Sequence, residues 1–392
     1  MSVTEKAGSE VYDRIAEIPQ AIEDLKNGKF IILVDDANRE NEGDLVFPAQ
    51  NASAEVINFY ETHVRGWICV SVAPNVAESL NLSMMVDRNT ERHGTAFTVT
   101  VDAAHGTSTG ISAADQAATI RKLADPESVP DDFLRPGHVR PIRARSGGVL
   151  ERVGHTEAVV DLMTLAGFHP AGILCEIKNQ DGSMARLPDL NEYAVKHDVR
   201  IYTIQDLIAH RLRSEQLIKR SVESLVHTKW GEFTAIGYES VVREEQHLAL
   251  VYGDPEKLKK SNEPALVRVH NAHVLSDLFA VPLSPGEPDK IDTAMNIIVK
   301  NGSGAFIYIR SRLRGQRMIE QLVEMKESEE KIPKTRLDTL PEDMSFRAYG
   351  LGAQIIRDLG YHDIKVITNS PKAHIGIEGY GIKIVGHVPM TE

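Results

Sequence analysis

Cysteine is nearly missing from this chain: two occur among 392 residues, Cys69 and Cys175, and none lies beyond position 175. So few thiols exclude a disulfide framework and any metal centre built from three or four thiolates. Each sits in an apolar, strand-like run, GWICVSV and GILCEI, where a buried reduced thiol is the expected state. Long hydrophobic runs are missing too, and nothing approaches the roughly 20 apolar residues that span a bilayer. The opening MSVTEKAGSEVYDR lacks a basic region followed by an apolar stretch, so a cytoplasmic protein is expected. Basic charge is in deficit, 44 Lys and Arg against 56 Asp and Glu. That balance excludes broad nucleic-acid binding but leaves room for a small anion held by a local group of arginines.

What is present is enough apolar residue for buried cores, 42% of a chain whose length predicts two domains. Ile15, Ile18, Ile22 and Leu25 predict a helix over 14–28, stopped by Asn27-Gly28. Strands are expected at 30–34, 67–72, 95–101 and 171–177, and helices at 156–166 and about 188–198. Ser112 and Asp115 are spaced as a capping box for a further helix. Between them, PESVPDDFLRPGHVRPIRARSGGVLER reads as loops with short strands. Helices and strands interleave, which predicts an α/β, or α+β layered, fold with a mixed sheet. Residues 204–228 read as a long helix and connector, after which strand-like runs such as GEFTAIGYES and QHLALVYGD begin a second α/β domain. The lysine- and glutamate-rich tract at 321–334 is expected to be exposed helix or loop.

Four clusters could carry chemistry. RENEGD (39–44) follows the apolar FIILV and packs three carboxylates into six residues at a strand end. The arm at 135–158 carries His138, Arg143, Arg145, Arg152 and His155. HGTSTGISAAD (105–115) is a hydroxyl-rich turn before a helix, a setting suited to an anion. Glu176 ends the apolar run AGILC, where a carboxylate facing a cleft can act as a base. Carboxylate oxygens with one imidazole suit Mg²⁺ or Mn²⁺, hard ions that leave positions for substrate oxygens. Spacing alone pairs none of these groups, and each by itself is compatible with an ordinary solvated loop.

Longer stretches carry a resemblance. DDANRENEGDLVFPA, MMVDRNT, GTAFTVTVDA, GTSTGISAADQAATI, RPGHVRPIRARSGGVLERVGHTEAVVDLMTLAGFHPAGILCEI and DGSMARLPDL resemble 3,4-dihydroxy-2-butanone 4-phosphate synthase, a lyase of riboflavin biosynthesis. The resemblance covers about residues 13–212. It implies conversion of D-ribulose 5-phosphate to L-3,4-dihydroxy-2-butanone 4-phosphate and formate. It also implies Mg²⁺ (or Mn²⁺), two ions per site, and a homodimer with the site near the subunit interface. On the matching positions Glu40 and His155 become metal ligands. Arg39, Asp44, the segment Arg152 to Thr156, and Glu176 become substrate contacts, while His138 and Glu176 become catalytic groups. Glu42 is expected to assist proton transfer, and Thr107, Ser108 and Thr109 to hold the phosphate.

WGEFTAIGYES, HLALVYGD, PALVRVH, GLGAQIIRDLG, KVITNSPK and GIKIVGHVP resemble GTP cyclohydrolase II. That family holds zinc with three cysteines, but the corresponding stretch here has His273, Leu283 and Pro285 in their places. Leu and Pro offer no donor, so no zinc is expected. The expected organisation is a synthase domain over 1–212, a linker over 213–227, and a catalytically inactive cyclohydrolase-like domain over 228–392. The alternatives are a bifunctional enzyme that still opens GTP, with His270 and His273 as the residues that could rebuild a metal site, or a tail that regulates the synthase or binds a riboflavin-pathway enzyme. TNSPK (368–372) is the run that could retain nucleotide binding.

Overall fold

The run FIILV has no polar face to offer solvent, and the strand it forms, β1 (Ile31–Val34), is buried at every residue. In the computed structural model the described residues are 16–35, 40–242, 245–254, 256–257, 263–281, 289–310, 342–369 (backbone alone for 342–349) and 380–390. The chain divides into two compact units, Met1–His210 and Arg211–Glu392.

In the first unit β1 is joined by β2 (Gly43–Pro48), β3 (Cys69–Val72), β4 (Val101–Ala103), β5 (Phe133–Arg143), β6 (Ala171–Glu176) and β7 (Arg200–Thr203). They form one mixed sheet in the order β4-β5-β3-β6-β2-β1-β7. Helices cover both faces: α1 (Ile18–Lys26), α2 (Ala54–Phe59), α3 (Pro74–Ser79), α4 (Ala113–Leu123), α5 (His155–Leu165), α6 (Leu187–His197) and α7 (Ile204–Ser214). Ile32, Val34, Leu45, Phe47, Val70 and Val72 pack with Ile57, Tyr60, Ile120 and Leu123 on one face. Helix α5 runs over β6 and β3 on the other. Burial on both faces is why these strands read as continuous apolar runs rather than alternating ones.

The second unit repeats the plan with β8 (Ile218–Thr228), β9 (Gly231–Ser240), β10 (Gln246–Tyr252), β11 (Ala265–Asn271), β12 (Gly304–Ile309), β13 (Asp363–Ile367) and β14 (Lys383–Val388). Their order is β14-β13-β11-β12-β10-β9-β8. The helices are α8 (Val274–Phe279), α9 (Lys290–Asn301) and α10 (Glu342–Asp358). Each unit has its own core, and no helix among the described residues is long and apolar enough to cross a membrane.

Three expectations are corrected. The strand predicted at 95–101 is mostly single bridges, Met84 to Thr98 and Phe97 to Ile142, with a ladder only from Val101. Its two edges serve different neighbours: Ala96 O accepts from Arg143 N, while Phe97 O accepts from Met85 N. The arm expected as loops with short strands holds one long strand, the eleven-residue β5; its prolines lack an N–H, but Pro141 O still accepts from Thr98 N. The predicted linker over 213–227 holds most of β8, which pairs along its length with β9. Residues 219–225 are exposed, as an edge strand allows, and that polar run hid the strand. The tract at 321–334 lies outside the described residues.

Candidate active site

The acid cluster forms where β1 ends and β2 begins. These strands are antiparallel neighbours, with Val34 opposite Gly43, so the residues between them make a short loop over the sheet's end. Asp35 organises it: Oδ2 accepts from Glu40 N at 3.0 Å and Oδ1 from Glu42 N at 2.9 Å. His155, first residue of α5, comes to the same point and is 5% exposed. Ligand atoms of Asp35, Glu40 and His155 all lie within 4.8 Å of one another. The His155 ring donates from Nε2 to Leu33 O at 3.1 Å, which leaves the lone pair on Nδ1, the atom 3.9 Å from Glu40 Oε2. A carbonyl that fixes the tautomer is the usual support of a metal-binding imidazole. Two carboxylates and one such imidazole suit a hard divalent ion.

Asp44 lies at the start of β2, directly across the ladder from Glu176 at the end of β6. It is 3% exposed, and its Oδ1 has no hydrogen-bond partner among the described residues. Burial pushes its carboxyl well above the usual range, and the charges of Glu176, Glu40, Glu42 and Asp35 push further. Burial also raises Glu42; Glu40 and Glu176 add to this, while Arg186 and His155 oppose it. Five acids crowded in a half-buried pocket with an orphaned buried oxygen form a site whose charge balance calls for a cation. Arg186 supplies part of that charge and closes the loop. Its Nη1 donates to Glu40 O at 2.7 Å and to Asn41 O, and lies 3.8 Å from Glu42 Oε1. Glu176 Oε2 accepts from Trp67 N at 3.1 Å, which aims the carboxylate along the sheet's end.

The structure thus brings Glu40, Glu42, Asp44, His155 and Glu176 together. His138, on β5, belongs to a second group: its Nδ1 donates to Asp102 Oδ2 at 2.7 Å, and its backbone N–H donates to Asp102 Oδ1 at 2.8 Å. The carboxylate fixes the ring and leaves Nε2 as the basic atom. Gly110, at φ +87°, lies so near that a Cβ there would stand 2.2 Å from Asp102 Oδ2 and 2.6 Å from His138 Nδ1.

The hydroxyl turn is closed from within. Thr107 Oγ1 donates to Ala103 O at 2.7 Å, and the Asp115 carboxylate accepts from Ser108 Oγ, Ser108 N and Gly110 N. The capping box is therefore half made: Ser112 Oγ accepts from Asp115 N, but the Asp115 side chain turns to the loop instead. Those bonds hold the Asp115 carboxyl below its usual value, Ser108 foremost. Arg152 is engaged with Glu157 at 2.7 Å and with His93 O, tying residues 93–95 to the start of α5, where Thr156 is buried. Arg39 lies outside the described residues.

Sequence reading passed over Asp35, Asp102, Arg186 and His93, whose Nδ1 is 3.9 Å from Glu40 Oε1. The first three stand in runs that carry the resemblance, DDANRE, VTVDA and SMARLPD, but only proximity reveals their partners. Cys69 and Cys175 are free and buried, and burial pushes both thiols up, which makes them inert.

In the second unit His270 and His273 stand where a zinc site was considered. His270 Nε2 pairs with Asp277 Oδ1 at 3.0 Å, and its ring stacks between Phe306 and Tyr308. His273 Nδ1 accepts from Ser276 N and so caps α8. Asp277 also accepts from His273 N and Tyr308 OH; against the cost of burial, His270 foremost and then these two bonds hold its carboxyl at about 2. One nitrogen of each imidazole is engaged locally, while His270 Nδ1 is buried with no hydrogen-bond partner among the described residues. Leu283 and Pro285 lie outside the described residues.

Residues 19–210 match the family 3,4-dihydroxy-2-butanone 4-phosphate synthase, and residues 219–389 match GTP cyclohydrolase II. The chain is 43% identical over 385 residues to riboflavin biosynthesis protein RibBA of Aquifex aeolicus, covering 95% of this chain and 92% of that one. It is 43% identical to the bifunctional riboflavin biosynthesis protein RIBA 1, chloroplastic, of Arabidopsis thaliana, over 96% of this chain and 69% of that one. Its fold matches that of RibBX from A. baumannii, a two domain 3,4-dihydroxy-2-butanone 4-phosphate synthase, with TM-score 0.77 and 32% identity over 96% of this chain and 100% of that one. This chain belongs to the riboflavin-biosynthesis family in which a 3,4-dihydroxy-2-butanone 4-phosphate synthase domain is followed by a domain of the GTP cyclohydrolase II type.

Proposed function

We propose that the acid cluster is where this synthase converts D-ribulose 5-phosphate to L-3,4-dihydroxy-2-butanone 4-phosphate and formate, with Mg²⁺ (or Mn²⁺) held by Glu40, His155 and Asp35. The observation that carries the reading is the convergence of those three donors beside the orphaned Asp44 oxygen. When bound, the ions supply positive charge to the substrate oxygens on which negative charge builds; two ions per site is the reading taken over from the family resemblance. The protein groups move protons. Glu42 and Glu176 flank the cluster as base and acid, since a reaction that enolises, loses water, migrates a carbon and regains water needs groups that both accept and return protons. Asp44, whose carboxyl burial pushes well above the usual range, is a candidate proton donor to a substrate oxygen. His138, oriented by Asp102, is a second base, and Arg152 and the Thr107 turn are the candidates for the phosphate end.

The reading includes a homodimer acting in the cytoplasm. Trp67, Met85, Val86, Ile111 and Leu134 are each about half exposed, large apolar side chains of the kind a subunit interface would cover. The tail is read as non-hydrolytic, because its two histidines are committed to Asp277 and to the α8 cap, and the chain has no cysteine beyond 175. The alternative, GTP opening by the second domain, draws on its family match. One experiment separates them. Purified full-length protein is assayed for formate from ribulose 5-phosphate with Mg²⁺, and for GTP turnover with Zn²⁺. Formate without GTP turnover supports the proposal; GTP turnover overturns the second half of it, and no formate overturns the first.

A further inference from the structure

Within the second unit, the tail of α7, the start of β8 and the last turn of α10 enclose a cavity of about 370 Å³. Its walls include Arg213, Glu215, Ile218, Arg357, Asp358 and Tyr380. The cavity is braced rather than loose. Gln354 Oε1 accepts from Leu217 N at 2.8 Å, and its Nε2 donates to Leu212 O and Glu215 O at 2.9 and 2.8 Å. Gly350 lets Leu212 and Tyr380 close in: a Cβ there would lie 2.8 Å from Leu212 Cδ2 and 2.9 Å from the Tyr380 hydroxyl.

Charge in the walls is uneven. Glu215 is neutralised by Arg211 through two bonds of 2.6 and 2.7 Å. Asp358 Oδ2 accepts from Arg220 Nε at 3.0 Å and from Tyr238 OH at 2.7 Å. No hydrogen bond or ion pair among the described residues involves the guanidinium group of Arg213 or of Arg357, and both line the cavity. Arg213 also acts on Tyr380, opposing the burial that pushes that phenol up to about 12, so the hydroxyl stays a proton donor. In a chain of net charge -12, a braced cavity with two uncommitted guanidinium groups and a phenol is an anion receptor in its chemistry.

We propose that this cavity binds a small phosphate-bearing molecule, with Arg213 and Arg357 on the phosphoryl oxygens and Ile218 against its body. The volume falls in the range of small-molecule sites and exceeds what a single phosphate fills. Nothing in the synthase chemistry uses this cavity, so it is a binding site apart from the acid cluster.

The test is calorimetric titration of the full-length protein, in EDTA and at low ionic strength, with inorganic pyrophosphate and separately with AMP. The comparison proteins are Arg213→Gln/Arg357→Gln, Arg357→Lys, and Gln216→Glu, which adds an acid at the cavity wall. Wild type should show a binding event that the double variant weakens at least tenfold, that Gln216→Glu weakens in the same direction, and that Arg357→Lys partly retains. All variants should keep the wild-type rate of formate production, and each should keep the wild-type unfolding transition of the second unit in a denaturant titration, which reports that this unit folds. Tighter binding of AMP than of pyrophosphate shows that the cavity reads the ligand's body, and equal binding shows that it reads phosphate alone; both support the site. No binding of either probe by wild type, or a double variant that titrates as wild type does, overturns it.

Discussion

At the residue scale the site trades stability for chemistry. The Asp44 carboxyl is raised by burial, so the folded protein binds its proton more tightly than the unfolded chain, where the group titrates near 4. Stability of the metal-free protein should therefore fall as pH rises from about 4 through the raised folded value. Asp44→Asn should remove that slope and leave the metal-free protein more stable than wild type at pH 7, by about 1 kcal/mol or more. Urea unfolding in EDTA at several pH values checks this, and formate production by the same variant should be lost. Asp102 makes a different prediction. It holds His138 through both Nδ1 and the backbone N–H. Asp102→Asn should lower kcat by about 10²–10⁴-fold with little change in KM, because the amide no longer fixes the tautomer. An unchanged kcat would remove His138 from the proton-transfer chain.

At the element scale, the acid loop keeps its shape through two clasps, Asp35 from within and Arg186 from outside. Arg186→Gln should leave the fold intact, since the arginine is about half exposed, but raise the Mg²⁺ concentration needed for half-maximal rate by about tenfold. A Mg²⁺ titration of the initial rate reads this directly. Helix α1 is held to β7 by Asp24, which accepts from both Arg200 and Tyr202 at 2.7 Å. Burial alone would raise the Asp24 carboxyl, but these partners bring it below its usual value. Its contribution is therefore present above about pH 4 and lost as pH falls through the lower folded value. Asp24→Asn should cost about 1–3 kcal/mol at neutral pH, less than for a fully buried pair because Arg200 is 42% exposed. Chemical denaturation measures it. The elements themselves were legible to differing degrees. FIILV and AGILC read as strands because both faces are buried. β8 did not, because an edge strand with residues 219–225 in solvent has the composition of a linker.

For the whole molecule, two units with separate cores predict that residues 1–214 fold alone and make formate at close to the full-length rate. A truncated chain that loses activity or its oligomeric state would show that the tail acts on the synthase. EDTA should abolish formate production and added Mg²⁺ restore it, while unfolding of the second unit should be insensitive to chelation. The change in texture along the chain places a boundary only between roughly 210 and 230. Linear order could not place the acid loop beside α5, because Glu40 and His155 are far apart in the chain and meet only when β1, β2 and α5 converge at one end of the sheet.

Read along the chain alone, the residues already give the side-chain types of the candidate site, the reduced state expected of the two thiols, and the lack of the cysteines that a zinc centre in the tail would need. These follow from side-chain chemistry, which composition and motif carry in full. It takes the folded chain to show that Asp35 joins Glu40 and His155, that Asp102 orients His138, that Arg186 closes the loop, and that the guanidinium groups of Arg213 and Arg357 line a cavity with no hydrogen bond or ion pair among the described residues. Those are facts of distance between residues remote in the chain. A carboxylate becomes a ligand, a base or a clasp according to what folding brings within about 3 Å of it.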